Sequence, residues 1–325
     1  MSCLAATALA PTARAQSKNA DTDSIWTFRT ENDSISTWPH GSDQNYTAGD
    51  QFSWTSGTES APDLARQLAQ ALWGDGTVRV GLGLTQQLYT PSNKTLSVPN
   101  PQDRPYAGYL AGTATLMHDG AATRDVLALS LGVIGPLAQG KETQGDVHAI
   151  IADRLSQGWA HQLPNEAAAE LFGQRTWRVP LGHVAGLETD MLPALAMGLG
   201  TVRDYGQAAF VLRIGEGLDR DFGASRIRPG ISGGDAFADS NEVSWYGFAG
   251  LNGQVVARDA FLDGNLFTKS AHVERNPLVG ELEAGLAFIW RGVRISYTQT
   301  WQTEQFHHQA PGLFNFGSLS LSMRF

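Results

Sequence analysis

The chain has one cysteine, Cys3, no cluster of lysine and arginine, and no apolar run long enough to cross a bilayer as a helix. Each shortage closes a class of function. Cys3 lies in a segment expected to be removed, so the mature chain has neither disulfide nor thiol chemistry and no cysteine-held metal. Without a stretch of about 18 apolar residues, no spanning helix is expected. A net charge of −9 with no basic patch excludes nucleic acid as a partner, because a phosphate backbone calls for a basic face.

What the chain has instead is alternation. Its final stretch, from Gly317 to Phe325, puts Leu319, Leu321, Met323 and Phe325 on one face and Ser318, Ser320, Ser322 and Arg324 on the other. One greasy face, one wet face and a terminal aromatic fit the closing strand of a bacterial outer-membrane barrel better than the end of a soluble sheet. The mean hydropathy of −0.21 is no objection, since a barrel carries its membrane signal in period two and not in runs. At the other end, Leu4–Ala10 followed by Ala13-Arg14-Ala15 reads as the apolar core and A-x-A cleavage site of a secretory signal without its basic start. Residues 1–15 are therefore expected to be a truncated signal peptide. Residues 16–325 are expected to form a single domain, since no repeat or linker divides them.

Alternating or β-rich segments occur at Ile25–Ser34, Tyr46–Ser56, Val78–Tyr89, Tyr106–Met117, Arg124–Ile134, Arg175–Leu187 and Leu192–Val202. They continue at Ala208–Gly217, Glu242–Leu251, Gln254–Phe261, Glu281–Trp290, Val293–Trp301 and Phe316–Phe325. These thirteen candidates are one too many or too few for a single-chain barrel, which needs an even number. Loop lengths choose, because such barrels keep short turns inside and long loops outside, with both termini inside. From the start of the chain, Ile35–Asn45, Thr90–Pro105 and Gly135–Gln174 fall outside and Asp119-Gly120 inside. From the end, Asn252-Gly253 and Arg291-Gly292 read as inner turns, the former a strong hairpin signal. Leu218–Asn241, Leu262–Gly280 and Thr303–Asn315 then fall outside. The two counts disagree across Arg175–Gly217, where Pro180 and Pro193 cast doubt on unbroken strands. The expectation is an all-β, antiparallel transmembrane β-barrel of twelve strands with short helices in its connections.

Two segments have helical spacing. Asp63–Trp73, with Leu64, Leu68, Ala71 and Leu72 on one side, sits in a long inner connection and reads as a plug or lid. Lys141–Gln157, with Val147, Ile150, Ile151 and Leu155 as an apolar stripe, lies in the longest outer loop, and the stripe needs the barrel mouth or lipid to pack on. Trp159, Trp177 and Trp301 are expected in interfacial belts.

Reactive side chains gather at one end. Glu31-Asn32-Asp33-Ser34 ends the first strand, Ser42-Asp43 precedes Tyr46-Thr47-Ala48-Gly49, and Tyr89-Thr90-Pro91-Ser92-Asn93-Lys94 leads toward Asp103-Arg104-Pro105-Tyr106-Ala107-Gly108. In the next outer helix, Gln144 and His148 stand at i,i+4 on one face. By loop parity, carboxylate, amide, hydroxyl, lysine and imidazole all reach the outer rim, a convergence that packing alone does not require.

These motifs, in this order, resemble the outer-membrane lipid A 3'-O-deacylase family over about Ile25 to Phe325, the Asp103–Gly108 run being the densest match. The resemblance implies a twelve-stranded barrel that hydrolyses the 3'-linked acyloxyacyl ester of lipid A with the help of a divalent cation. His148 then corresponds to the general base, a task suited to an imidazole with a pKa of roughly 6.5. Asp33 and Asn32 correspond to the metal-binding carboxylate and amide, hard oxygen donors that favour Ca²⁺, with Mg²⁺ and Zn²⁺ left open. Adjacent strand residues face opposite ways, so Asn32 would join Asp33 only through its carbonyl or a bulge. Thr47 or Ser42 would supply a hydroxyl, Lys94 the cation that polarises the ester carbonyl, with Arg104 an alternative, and Gln144 would orient the base or the water. Arg104 and Tyr106 would contact substrate phosphate or, equally, serve as architecture. The resemblance further implies a monomer in the outer membrane, with its site facing the outer leaflet and lipid A or lipopolysaccharide as partner.

Two rivals stand beside this reading. A serine hydrolase of the outer-membrane phospholipase type would need a nucleophile; no H-x-S-N-G-like motif and no G-x-S-x-G elbow are expected. A passive pore or structural barrel would explain the strands but not the polar rim.

Overall fold

A computed structural model describes residues 21–37, 45–151, 155–227 and 232–325. The expected signal with Cys3, and Ser42-Asp43, lie outside the described residues. The rest is one closed antiparallel barrel. Its strands are β1 (Ile25–Asn32), β2 (Asn45–Thr55), β3 (Thr77–Thr90), β4 (Ala107–Asp119), β5 (Thr123–Ile134) and β6 (Glu166–Trp177), the last continuing after Arg178 as Val179–Val184. Then come β7 (Leu187–Gly200), β8 (Arg203–Glu216), β9 (Ser244–Asp259), β10 (Leu278–Trp290), β11 (Val293–Gln302) and β12 (Phe314–Arg324). Both parts of β6 pair with β7, so they form one strand, and pairing of β1 with β12 closes a twelve-stranded ring.

The number twelve stands, but the route to it does not. All three segments across Arg175–Gly217 are strands, because the prolines are placed where the ladder tolerates them. Pro180 sits at a bulge in the exposed end of β6 and Pro193 is carried within β7. The surplus was instead at Asn252-Gly253, which runs through the middle of β9 opposite Glu281 and Gly280 with no turn at all. A hairpin signal lost to twelve continuous cross-strand pairs with β10.

Period two sorts the walls. On β1, Thr27, Arg29 and Glu31 are buried in the lumen, while Trp26 and Phe28 face out with Phe52, Leu82, Leu84, Leu319 and Leu321. This is the apolar belt expected of a wall in lipid. The lumen is polar and filled. The connection from Gly217 to Val243, placed outside by the parity count, joins the inner ends of β8 and β9 and folds up into the barrel. Parity failed there because Asn252-Gly253 had been spent as a turn. Arg226 from this segment reaches Glu31 at 3.1 Å and Glu283 at 3.5 Å, and Asp235 pairs with Arg29. Arg124 donates to the carbonyls of Gly233 (2.7 Å) and Ala236 (2.9 Å).

Helix α1 (Asp63–Trp73) is no plug or lid. Its Ala69 and Trp73 pack on Val78 and Leu116, and Trp73 stacks on His118 at 5.7 Å. These partners alternate with the lumen-facing Arg79 and Met117, so α1 lies against the outside of the wall near its inner end, with Leu64, Leu68 and Leu72 exposed. The lumen already has its occupant.

Candidate active site

The first strand ends where its alternation ends. Asn32 caps a 3-10 turn, Asp33–Ile35, by accepting from the Ser34 amide at 2.7 Å. Asp33 therefore leaves the pleat and is buried, and the opposed-face constraint on two adjacent strand residues no longer applies. One strand over, the pairing of β2 with β3 slips between Tyr46 and Ala48. The bulge gives Thr47 its own direction. Tyr46 stays in the lumen with its hydroxyl on Glu31 Oε2 at 2.9 Å, whereas the Thr47 and Thr90 hydroxyls share a hydrogen bond of 2.7 Å.

Helix α2 (Gly140–Ile151) covers this corner from outside the barrel. It starts one residue before the expected Lys141 and is described to Ile151, short of Gln157. Its foot rests on β3 and β4 at positions that alternate with lumen residues. A Cβ on Gly108 would meet Ala138 at 3.2 Å and the Gly140 amide at 3.3 Å, and one on Gly140 would meet Leu88 and Trp159 at 2.9 Å. Bare glycines permit the approach. Gln144 and His148 form the buried face of α2, while Val147 is exposed. The helix thus turns its amide and imidazole toward the barrel wall.

Trp159, expected in an interfacial belt, is buried and belongs here. Its Nε1 donates to Gln144 Oε1 at 2.7 Å and its ring packs on Tyr106 at 5.0 Å. Tyr106 in turn donates to the Lys94 carbonyl at 3.4 Å, which also accepts from the Gln157 amide at 2.9 Å. The loop bearing Lys94 is thereby tied to the segment that follows α2. Trp159 was missed as a site residue, although its position after Gly158 at the end of a helical segment was a usable signal.

Arg104 and Tyr106 lie apart from each other. Tyr106 is fully enclosed, against the Lys94 carbonyl and the Trp159 ring. Arg104 sits on the other side of the wall, in the lumen mouth, stacked 4.9 Å over Tyr89 and donating to Gln305 at 3.2 Å. Burial pushes its guanidinium down to about 10, with Asp259 and Tyr89 opposing. It is thus separated by the wall from Leu88 and Gly108, on which α2 rests. Against the expectation that no such motif occurs, the string Gly230-Ile231-Ser232-Gly233-Gly234 spells G-x-S-x-G. Ser232 is buried in the lumen segment, accepting from the Arg226 amide at 3.4 Å, and no helix follows it. It is not a nucleophile elbow.

Among the described residues no three His, Cys, Asp or Glu side chains cluster as a metal centre. The Asn32 amide oxygen is already engaged by its turn. A hard cation at Asp33 fits only with carbonyl and water oxygens completing its shell, a set that Ca²⁺ accepts.

Strands with a greasy outer face, closed into a ring around a filled polar lumen, define an outer-membrane β-barrel. A family model described as "Outer membrane protein LpxR" matches residues 1–325, and the chain belongs to that family. LpxR from Salmonella typhimurium is similar in structure, at 18% identity over 93% of this chain and 100% of that one, with a TM-score of 0.75. The beta domain of the Bordetella autotransporter Brka is a looser likeness, at 12% identity over 94% and 99% of the two chains and a TM-score of 0.42. No curated protein matches the chain.

Proposed function

We propose that this protein is a lipid A deacylase that hydrolyses the acyl ester at the 3' position, working on the outward face of its barrel wall at the outer-leaflet rim. The observation that carries this reading is the burial of Gln144 and His148 between α2 and the wall. A helix in a long outer loop has water on offer, and turning its amide and imidazole away from it serves a site. Because that site lies outside the lumen, an acyl chain can stay in the membrane while its ester reaches the rim.

His148 takes a proton from water as the water attacks the ester carbonyl. Lys94, on a loop held by Tyr106 and Gln157, stabilises the oxyanion, and the paired hydroxyls of Thr47 and Thr90 orient the reactants. Gln144, its carbonyl oxygen fixed by Trp159, aligns the imidazole one turn along. Asp33, with the Asn32 carbonyl, would hold a divalent cation, Ca²⁺ by the chemistry of its donors; when bound, it supplies further stabilisation of negative charge on the carbonyl oxygen. The test is mass spectrometry of lipid A from cells expressing the protein. A species lacking the 3'-linked chain is expected, and its loss with a chelator and return with Ca²⁺ would follow from the cation. Unchanged lipid A with a well-folded barrel refutes the proposal.

The rival pore meets a lumen crossed by Arg226, Asp235 and Arg124. In planar bilayers the protein is expected to show no conductance steps. Regular steps at low voltage would favour the pore.

A further inference from the structure

The outward wall at the opposite end of the barrel carries charges that the mechanism above does not use. Cross-strand register places Val78, His118, Asp125, Arg175 and Leu195 in one row across β3 to β7. Asp125 and Arg175 face outward, because Arg124 and Gln174 beside them donate to the Gly233 and Ser232 carbonyls inside the lumen. Toward the inner end the next outward pair is Thr123 with Trp177, at the β4–β5 turn. On the membrane side the next row is Leu116, Leu127, Gly173 and Met197. The charged row therefore lies on the inner-leaflet side of the wall, one step of about 6.6–6.8 Å along the strands from Trp177.

A charge on a lipid-facing strand has a cost that rises with depth, and the members of this row meet it differently. His118 is sealed under Trp73 of α1, with its Nδ1 3.4 Å from Asp125 Oδ2. The Asp125 side chain is 2% exposed and accepts from Arg175 Nε on its other oxygen. The Arg175 side chain is 42% exposed, and among the described residues nothing accepts from its Nη1 or Nη2. Asp125 thus fixes the guanidinium plane and leaves a two-nitrogen fork open to the membrane, a shape that matches two oxygens of one phosphate. Beside the fork the wall is dented. A Cβ on Gly173 would meet nothing within 4 Å, in a row whose Met197 is exposed, with exposed Leu171 next along β6. Helix α1 stands over β3 and β4 on one side with Leu68 and Leu72 exposed, and β6 runs on past Trp177 on the other with Val179 and Leu181 exposed.

We infer that Arg175 and the dent at Gly173 bind one glycerophospholipid of the inner leaflet, its phosphate on the Arg175 fork and an acyl chain across Gly173. The inference stands apart from the deacylase reading, whose residues lie at the other end of the strands. Charge and shape both select this occupant. Hydrocarbon offers a guanidinium no acceptor, and an ester carbonyl offers one uncharged oxygen. A phosphodiester offers two oxygens sharing a negative charge, with acyl chains already attached to fill an apolar dent.

The test titrates purified wild type, Arg175→Gln, Arg175→Lys and Gly173→Leu in nonionic detergent with phosphatidylethanolamine, with diacylglycerol of the same chains and with lipid A, and reads bound lipid by native mass spectrometry. Wild type is expected to hold one phosphatidylethanolamine with a Kd at least about tenfold below that for diacylglycerol, as a hydrogen bond to a charged group implies. Arg175→Gln should weaken phospholipid binding by about tenfold or more and leave diacylglycerol unaffected. Arg175→Lys, which keeps the charge without the fork, should fall between the two. Gly173→Leu, whose Cβ meets no neighbour, should weaken binding with the guanidinium intact by filling the dent. Folding is checked by the heat-dependent gel shift of the barrel. Equal affinity of wild type for phosphatidylethanolamine and diacylglycerol overturns the inference, as does unaltered phospholipid binding in Arg175→Gln or in Gly173→Leu. Binding of lipid A alone that depends on Arg175 overturns it too, because the phosphate would then come from the other leaflet.

Discussion

Replacing His148 with alanine is expected to lower release of the 3'-linked acyl chain by about 10²–10⁴-fold, the contribution of a positioned general base. The barrel should keep its gel shift and heat resistance. The expectation follows from where the imidazole lies. His148 is on the buried face of α2, and α2 packs on the outside of the wall, so the substitution removes a group from the site without touching the lumen network that holds the strands together. A His148→Gln variant tests the same point, since it preserves hydrogen bonding and bulk but cannot accept the proton of water at neutral pH. Lipid A mass spectrometry on matched amounts of folded protein is the measurement. Full activity in both variants would remove His148 from the mechanism. Loss of folding in both would show that α2 is part of the barrel's stability, against the outside placement argued here.

The second large effect concerns the lumen. Asp221 accepts from Arg213 Nη1, Arg294 Nε and the Tyr246 hydroxyl, each at 2.7 Å, and from the Gly223 amide at 3.1 Å. Its side chain and both arginines are wholly buried. Asp221→Ala leaves Arg294 without its carboxylate and Arg213 with Asp190 alone. Breaking such a pair from one side costs about 3–5 kcal/mol, because an uncompensated charge stays buried. The temperature at which the barrel loses its gel shift should fall accordingly, and an unchanged transition would mean that water reaches the arginines. pH gives an independent check. Burial alone would raise the Asp221 carboxyl, but Arg294 and then Arg213 outweigh it and hold the group below the usual carboxylate range. A folded-state pKa below the unfolded one contributes stability in full above roughly pH 4, lost as the pH falls through the folded value. Wild type should therefore weaken in acid below that point, and Asp221→Ala should show less of this acid dependence.

Much of this molecule is legible in its residues, and particular elements show why the remainder is not. The alternation from Leu319 to Phe325 marks its strand because period two reports directly which side chains share a face. Asn252-Gly253 misled because a hairpin signal is local, and twelve pairs with β10 outweigh two residues of turn preference. Asp33 and Asn32 seemed constrained to opposite faces until the strand was seen to stop at Asn32. Arg104 and Tyr106, two residues apart in one motif, end on opposite sides of the wall. That separation depends on which way the chain enters β4, and spacing does not encode it.

By itself, then, the sequence determined the barrel, its even strand number, its membrane setting and the placement of Asn32, Asp33, Thr47, Lys94, Gln144 and His148 at the outer ends of the strands and in the outer connections. Alternation and loop length are properties of neighbouring residues, and neighbours are what a sequence displays. Only the tertiary structure decided that α2 lies outside the wall and that the lumen is filled from the inner end by the connection after Gly217. Those outcomes depend on which loop buries which face. Chain segments remote in sequence compete for the same surface, and that competition is resolved only when the barrel has closed.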